Sequence, residues 1–570
     1  MKHSSRRNVL LGLAVLVLLV GALWAPLRRQ MERWTGEQAL VEQIKGTGAL
    51  AILRLTQGQP ETAPYAPVRH SGLSPYGVNT FFEQEADVAQ VDRAMAMISA
   101  AGIDWIRQEF PWEDIEISAK GDFWDHRWNR SAWDKYDQIV ALAEKHDLEI
   151  IARLDNPPGW SRAVGNAEGW TLAPPDDLND YGDFVEAVVT RYKGRIRYYQ
   201  IWNEPNIYPE WGDQAADPAG YVALLQVAYT RAKAVDPDCV IIAAGLAQTT
   251  EETDWIYEPR NVSDIVYLEA MYAAGAQGYF DVMGAMAYGL WTGPHDQRVS
   301  RDRANFGRVQ LLREIMVAHG DASVPIWATE IGWNALPEGW QGAMPYGAVT
   351  LEQQAQYTVQ AYQRAADEWP WMGVLNYWFW RRPDESESNQ AWYYFRMVAP
   401  DWTPQPVYFA VQEQATQPRV LHRGFHQEDA EALQYAGEWR LVQDKGAVLG
   451  GGARLEPGAS VRFTYSGAGL SLKLGDAASA EHLTITVDGR ERPLGRSETV
   501  PDTDIAARRV TRAPWRGQHS VVLAATDGPV LLDGLIVYRE PARWPWLLAL
   551  AMVFAGLALL WWHCKRAARS

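Results

Sequence analysis

The sequence predicts an α/β protein: a (β/α)₈ (TIM-type) barrel followed by a small β-sandwich, with transmembrane helices at the N- and C-termini. Three observations predict it. From Tyr76 onward eight short β-rich runs alternate with amphipathic helical stretches; after a last helix at about Val407 to Gln414 the texture changes to short alternating strands with Gly-rich turns; and each end carries a long apolar run next to basic residues. At 570 residues the chain exceeds what one hydrophobic core organises, so a large domain plus a smaller one is expected.

In chain order, residues 1–27 read as a transmembrane anchor. Val9 to Trp24 is unbrokenly apolar behind Lys2, Arg6 and Arg7. The run is longer than a usual signal-peptide core, and the one cleavage candidate, after Ala25, puts Leu23 where a small residue is preferred. Residues 28–70 are helical in pattern (MERWTGEQALVEQIKG) and then rich in Pro and turn residues, a juxtamembrane stalk and linker.

Residues 71–415 carry the barrel. Its strands are expected at Tyr76 to Asn79, Ile103 to Arg107, Leu148 to Arg153, Ile196 to Trp202, Val240 to Ala244, Phe280 to Met286, Pro325 to Thr329 and Gly373 to Trp378. Helical patterns such as VDRAMAMISAAG, WDKYDQIVALAEKH and VALLQVAYTRAKAV lie between them. Eight such repeats fit a closed barrel better than an open doubly wound sheet, and no glycine-rich phosphate loop follows the first strand.

Residues 416–540 read as the β-sandwich, with runs VRFTYSG, LSLKLG, LTITVDGRERPL, HSVVLAATDG and VLLDGLIVYRE and a hairpin signal at Asp488-Gly489. With Trp439 leading in and LLDGLIVY closing, the pattern resembles galactose-binding-like jelly rolls, which implies a possible carbohydrate-binding module. Residues 541–570 hold WPWLLALAMVFAGLALLWW (Trp544 to Trp562) and then Lys565, Arg566 and Arg569, a second transmembrane helix with interfacial Trp at both edges. Two spans put both termini on one side. The basic tail makes that side cytoplasmic, although Arg28, Arg29 and Arg33 oppose it, and leaves residues of about 28 to 540 outside a cell membrane, bacterial in character, with the lipid bilayer as a partner.

Composition narrows the ligand. A net charge of -17 disfavours nucleic acid, whose phosphates need concentrated Lys and Arg. The 28 Trp and 25 Tyr against 13 Phe favour flat amphipathic rings, suited to the apolar faces of sugars. Cys239 and Cys564 are the only cysteines and suit neither a disulfide nor a metal site. There is no HExxH, no CxxC pair and no regular calcium loop; Asp384 to Glu387 reads as a solvated loop, so no metal and no cofactor is implied.

Two acidic residues end two of the expected strands: Glu204 in RYYQIWNEPN after the fourth and Glu330 in IWATEIGW at the end of the seventh. Barrel strands deliver their C-terminal ends to one face, so carboxylates distant in sequence can share a cleft there. Glycosidic cleavage needs such a pair, one protonated to release the leaving oxygen and one ionised to meet the sugar carbon from the other face.

On these residues the chain resembles glycoside hydrolase clan A, most nearly families 39 and 5, over about residues 75 to 415. The resemblance implies a retaining enzyme in which Glu204, within Asn203-Glu204-Pro205, is the acid/base and Glu330 the nucleophile. It further implies that Asn203 contacts the sugar 2-hydroxyl, that Arg107 and Tyr288 donate to Glu330 and keep it ionised and aimed, and that Trp378 is the platform under the cleaved sugar. Many relatives carry His where this chain has Met286, which leaves the sugar open. Trp112, Trp160, Trp211, Trp291 and Trp333 lie in or near loops after the strands; several, Trp333 among them, are candidate substrate contacts. The expected function is a membrane-anchored retaining hydrolase of a β-linked oligo- or polysaccharide. The alternatives are a catalytically silent polysaccharide-binding receptor, against which the intact glutamate pair speaks, and a transglycosylase remodelling an exopolysaccharide.

Overall fold

A computed structural model of the chain describes residues 24–251 and 259–539. They form two compact units. One holds the residues up to Thr62, Ser74–Ala365 and Met372–Gln417; the other holds Ala63–Leu73, Ala366–Trp371 and the residues from Pro418 on.

The first unit is a parallel barrel of β1 (Tyr76–Thr80), β2 (Trp105–Glu109), β3 (Glu149–Leu154), β4 (Tyr198–Ile201), β5 (Val240–Ala243), β6 (Met283–Met286), β7 (Ile326–Ile331) and β8 (Met372–Tyr377). Each strand lies within three residues of its sequence-predicted bounds. Neighbours bond in the order β5-β4-β3-β2-β1-β8-β7-β6, and isolated pairings of Ile242 with Val282 and Leu246 with Ala285 close the ring. The strands are buried almost throughout, as strands covered on both faces must be, which is why they read as apolar runs rather than alternating ones.

Capped amphipathic helices cover the barrel. The Asp87 and Asp177 side chains accept the backbone N–H two residues on, starting α2 (Val88–Ala100) and α4 (Leu178–Tyr192). Asp217 and Pro218 start α5 (Pro218–Val235). The face of α4 that bears Tyr181, Phe184, Val185, Val188, Val189 and Tyr192 is buried. Residues 28–70, read from the sequence as stalk and linker, include helical residues 24–35 in part and α1 (Leu40–Thr56). Here the Arg298 guanidinium donates to the Thr35 carbonyl at 2.8 Å and to Glu37 Oε1 at 2.7 Å, and Gln38 Nε2 donates to the Tyr357 hydroxyl at 3.0 Å.

Inside the barrel, Trp105, Tyr198 and Trp327 pack ring against ring with centroids 4.9 to 5.3 Å apart. One step up the same strand faces stand Arg107 and Gln200, as the two-residue strand period requires. Trp327 and Glu330 are three residues apart on β7 and by strict alternation would face opposite ways. The β6–β7 pairing skips one residue there, from Ala285 with Ala328 to Met286 with Glu330, and this irregularity lets both side chains serve the interior.

In the second unit, β9 (Gly424–Gln427), β10 (Gln434–Ala436), β11 (Trp439–Gln443), β12 (Gly451–Leu455), β13 (Ser460–Leu474), β14 (Leu483–Val487), β15 (Arg490–Glu491), β16 (Ser497–Thr499), β17 (Ala506–Ala525) and β18 (Val530–Tyr538) join one hydrogen-bonded antiparallel network. Its core includes Val461, Phe463, Leu470, Leu472, Ile485, Leu523 and Leu535. The runs VRFTYSG and LSLKLG, expected as separate strands, are one strand, β13, whose pairing slips between Gly467 and Gly469. A Cβ on Gly467 would stand 2.7 Å from the Tyr538 carbonyl oxygen, so glycine lets the strand pass this close to its neighbour.

The expected membrane-crossing helices require correction. Among the described residues no helix is long and apolar enough to cross a membrane. The longest, α5 and α8 (Leu351–Glu368), are 18 residues each and carry charged residues such as Lys233 and Glu352 on an otherwise barrel-packed helix. The fold described is therefore the barrel and the β-rich unit. The two apolar segments that carried the expectation, residues 9–23 and 544–562, lie outside the described residues.

Two glycines test this packing. At the closing seam, a Cβ on Gly284 would meet the Ala243 carbonyl and, at 2.7 Å, the Gly245 nitrogen, whereas Gly48 on α1 has open space around it. Gly284→Ala should lower stability by about 1–3 kcal/mol through overpacking. Gly48→Ala should raise it by about 0.5–1 kcal/mol by removing helix-interior glycine. Denaturant midpoints of both variants against the parent read the two signs.

Candidate active site

Arg107 of β2 lies at the C-terminal mouth of the barrel, 2% exposed, and spends its donors on four partners. Nε donates to Gln200 Oε1 at 2.7 Å, one terminal nitrogen to Asn79 Oδ1 at 2.6 Å and Glu330 Oε1 at 3.0 Å, and the other to Asn203 Oδ1 at 2.8 Å. The partners come from β1, β4, the loop after β4, and β7. Asn79 is itself fixed, donating to the Thr329 and Tyr377 carbonyls at 3.1 and 3.2 Å.

Glu330, 5% exposed, accepts at both oxygens, because Tyr288 donates its hydroxyl to Oε2 at 2.5 Å. Burial first, and then the Glu330 charge, push the Tyr288 phenol well above the usual phenol range, so it stays a donor. Its backbone N–H is held by Gln248 Oε1 at 2.8 Å.

Glu204 sits just past the end of β4 on a sharply turned backbone, with φ of 69° at Trp202 and 39° at Glu204. Such left-handed values cost of order 1–3 kcal/mol in non-glycine residues and need surrounding anchors. The Glu204 N–H donates to the Gly245 carbonyl at 3.1 Å. Asn206 donates to the Ala247 and Val262 carbonyls and accepts from the Ala247 N–H, which gives the second Asn of WNEPN a scaffolding role. Among the described residues nothing hydrogen-bonds the Glu204 carboxyl. Burial, then the charges of Glu330 and Glu210, push it well above the usual carboxylate range, against the opposing pull of Arg107 and Arg153.

The structure thus brings together Glu204, Glu330, Asn203, Arg107 and Tyr288. Trp378, half-buried just after β8, meets Phe81 edge-on with centroids 5.5 Å apart, and the Trp378–Phe379 peptide is cis. Trp333 is not a surface for substrate. It is fully enclosed, its indole N–H donates to the Thr292 carbonyl at 2.8 Å, and it packs on Phe306 and Tyr357 in space that Gly289 leaves free. Trp112 and Trp211 are likewise buried at 0% and 3% exposure. Trp160 is half-buried with its N–H on the Glu116 carbonyl, and Trp291 stands 62% exposed.

Several site residues escape the sequence reading. Tyr346, in the loop after β7, lies close enough to both glutamates that, after burial, their charges push its phenol up, and its ring packs on Phe395, as does that of Tyr288. A second group of acids borders the first: Glu109, Asp155 and Glu210, with Arg153 bonded to Glu109 at 2.8 Å and to Asp155 at 2.7 Å. Burial pushes Asp155 up to about 8 and Glu210 up to about 7. Gln200 was the readable signal, a polar residue inside the otherwise apolar YYQI strand. Loop acids such as Glu210 carry no signal of that kind.

The site thus holds Glu204, its carboxyl pushed well above the usual carboxylate range and without a described hydrogen-bond partner, near Glu330, which is clamped between a guanidinium and a phenol. The chain matches no family model. A stretch of 111 residues, 19% of this chain and 15% of the relative, is 26% identical to a rice (Oryza sativa subsp. japonica) protein named "Beta-glucosidase-like SFR2, chloroplastic"; the match spans under a sixth of that protein. The fold is similar to solved structures of glycoside hydrolases. One is a family 39 enzyme from Bacteroides cellulosilyticus WH2, 17% identical over 84% of this chain and 82% of that one at TM-score 0.45. Another is a GH39 beta-xylosidase from Caulobacter crescentus, 15% identical over 81% and 98% at 0.44. A third is GH5_18 from Streptomyces cattleya, solved with GlcNAc, 14% identical over 63% and 83% at 0.45.

The raised carboxyls have a thermodynamic signature. A folded-state pKa above the unfolded value means that the folded chain keeps a proton the unfolded chain gives up, so stability falls as pH rises from the ordinary carboxyl range toward the raised value. Asp155 and Glu210 act with the same sign up to about 8 and about 7. Glu204→Gln should therefore be more stable than the parent, with a gap in melting temperature that widens as pH rises above the ordinary carboxyl range. Parallel curves for the two proteins would show that Glu204 titrates normally.

Proposed function

We propose that this chain is a retaining glycoside hydrolase that cleaves a β-linked oligo- or polysaccharide by double displacement, with Glu330 as nucleophile and Glu204 as acid/base. The observation that carries the reading is the contrast between the two carboxyls: Glu330 accepts from two fixed donors, whereas Glu204 has no described hydrogen-bond partner and is pushed well above the usual carboxylate range by burial and the neighbouring negative charges. Their contrast is the one the reaction requires.

In the first step a Glu330 oxygen forms a bond to the anomeric carbon while the glycosidic C–O bond breaks and Glu204 gives its proton to the departing oxygen. In the second, Glu204, now a carboxylate, takes a proton from water; the water oxygen bonds to the anomeric carbon, Glu330 leaves, and the sugar departs with its original configuration. Loss of the proton leaves Glu204 charged near Glu330 only once Glu330 is esterified and neutral, so the two charges do not have to coexist at full strength. Arg107 and Tyr288 hold Glu330 in line throughout, and donors fixed before reaction need no reorganisation during it. Asn203 has its oxygen on Arg107, which leaves its NH₂ as a donor for a sugar hydroxyl. Trp378 is the natural platform for the sugar's apolar face. No cofactor enters either step.

A panel of aryl β-glycosides and polysaccharides identifies the sugar, and variants then test the roles. Glu330→Gln should reduce turnover to background. Glu204→Gln should lose about 10²–10⁴-fold on substrates with poor leaving groups. It should lose much less on dinitrophenyl glycosides, which depart without a proton. Near-parental turnover by either variant on a natural linkage, or inverted product by NMR, contradicts the proposal.

A further inference from the structure

We propose that Glu210 is a positioning residue of this site, fixing the amide of Asn203 from behind and setting the proton affinity of Glu204 through its own charge. The inference rests on the hydrolase reading above and adds a third carboxylate to it.

The loop NEPNIYPE doubles back on itself. Ile207 N–H donates to the Glu204 carbonyl at 3.1 Å, Glu210 N–H donates to the Ile207 carbonyl at 3.0 Å, and the Trp202 indole donates to the Glu210 carbonyl at 2.8 Å. These bonds return Glu210 to the strand end it left six residues after Glu204, and bring its Oε2 to 3.5 Å from Asn203 Nδ2. Asn203 is then oriented at both ends, oxygen on the Arg107 guanidinium and nitrogen toward a carboxylate. A flipped amide would set NH₂ against guanidinium and oxygen against carboxylate, so the donor face offered to the cleft has one orientation.

Charge is the second half. Glu210 faces Arg153 of β3, Asp155 just beyond β3, Glu109 at the end of β2, Glu330 of β7 and Glu204 on its own loop. Of the nearby cations, Arg153 is bonded to Glu109 and Asp155 and Arg107 to Glu330, and among the described residues Glu210 has no ion pair. A recessed acid without its own counter-ion costs stability. A glutamine would accept the same Asn203 hydrogen bond without that cost, so what the carboxylate adds is negative charge beside Glu204. That charge opposes ionisation of Glu204 and is one of the causes of its raised proton affinity.

The test is the pH dependence of kcat/KM, whose alkaline limb follows deprotonation of the free enzyme's acid. In Glu210→Gln the midpoint of that limb should fall by about 0.5–1.5 pH units, the loss of one nearby charge in a partly dry site. Glu210→Asp should stay near the parent, and Glu210→Ala, a second neutral variant should Gln fail to fold, should shift as Gln does. A purely structural Glu210 would change rate or melting temperature with the midpoint in place, and that result overturns the inference. Infrared difference titration without substrate supplies an independent readout: the Glu204 carboxyl band, obtained by subtracting Glu204→Gln from parent and the double variant from Glu210→Gln, should titrate at lower pH in the second pair. An unmoved band with catalysis intact sinks the role of Glu210 alone; a moved band in a protein that cleaves no glycoside sinks the hydrolase reading and leaves the coupling standing.

Discussion

Arg107 stands almost wholly out of water with acceptors from four segments of the barrel around its guanidinium, and a buried cation of this kind is tolerable only when it is paired and hydrogen-bonded. The consequences run both ways. Because Arg107 must be satisfied, Asn79, Gln200, Asn203 and Glu330 are held in one arrangement; because they are held, Glu330 meets Tyr288 from the far side and keeps both oxygens engaged. The planar fork of arginine is what allows one side chain to reach β1, β4, β7 and the loop after β4 together, and lysine could not replace it.

The other half of the site is built against stability. Glu204 rides on two left-handed residues and lacks a described partner; Asp155 and Glu210 are carboxyls that burial drives up to about 8 and about 7. These costs are supported by the surroundings: the Asn206 brace, the Gly245 carbonyl, and the aromatic plug of Trp105, Tyr198 and Trp327 beneath. A strained acid held over a packed floor is the arrangement expected where function competes with stability.

Much of this was legible in the residues. The eight strands could be found because a strand buried on both faces writes a short β-branched and aromatic run, and Glu204 and Glu330 could be paired because barrel strands present their ends on one face. Three things were hidden. Glu210, Asp155 and Tyr346 meet the site through loop geometry, which has no periodicity to read, and Glu109 is the last residue of β2. Trp333 looked like a sugar contact from its place after a strand, but the missing side chain at Gly289 opens a slot that encloses it. The two runs joined in β13 read as separate strands because Gly467 and Gly469 mimic a turn, whereas here they permit close passage beside the Tyr538 and Thr511 backbones. Residues 9–23 and 544–562, read as membrane spans from apolar runs beside basic residues, lie outside the described part of the chain.

The central claim is that Glu330 becomes covalently bonded to the sugar. Incubating the protein with the activated 2-deoxy-2-fluoro derivative of its best glycoside, then digesting it for peptide mass spectrometry, reads this directly, since the fluorine slows release of the adduct more than its formation. The account predicts one sugar per chain, on the peptide containing Glu330 and absent from Glu330→Gln. An adduct on another carboxyl, or none while the parent still turns over the natural substrate, would contradict it.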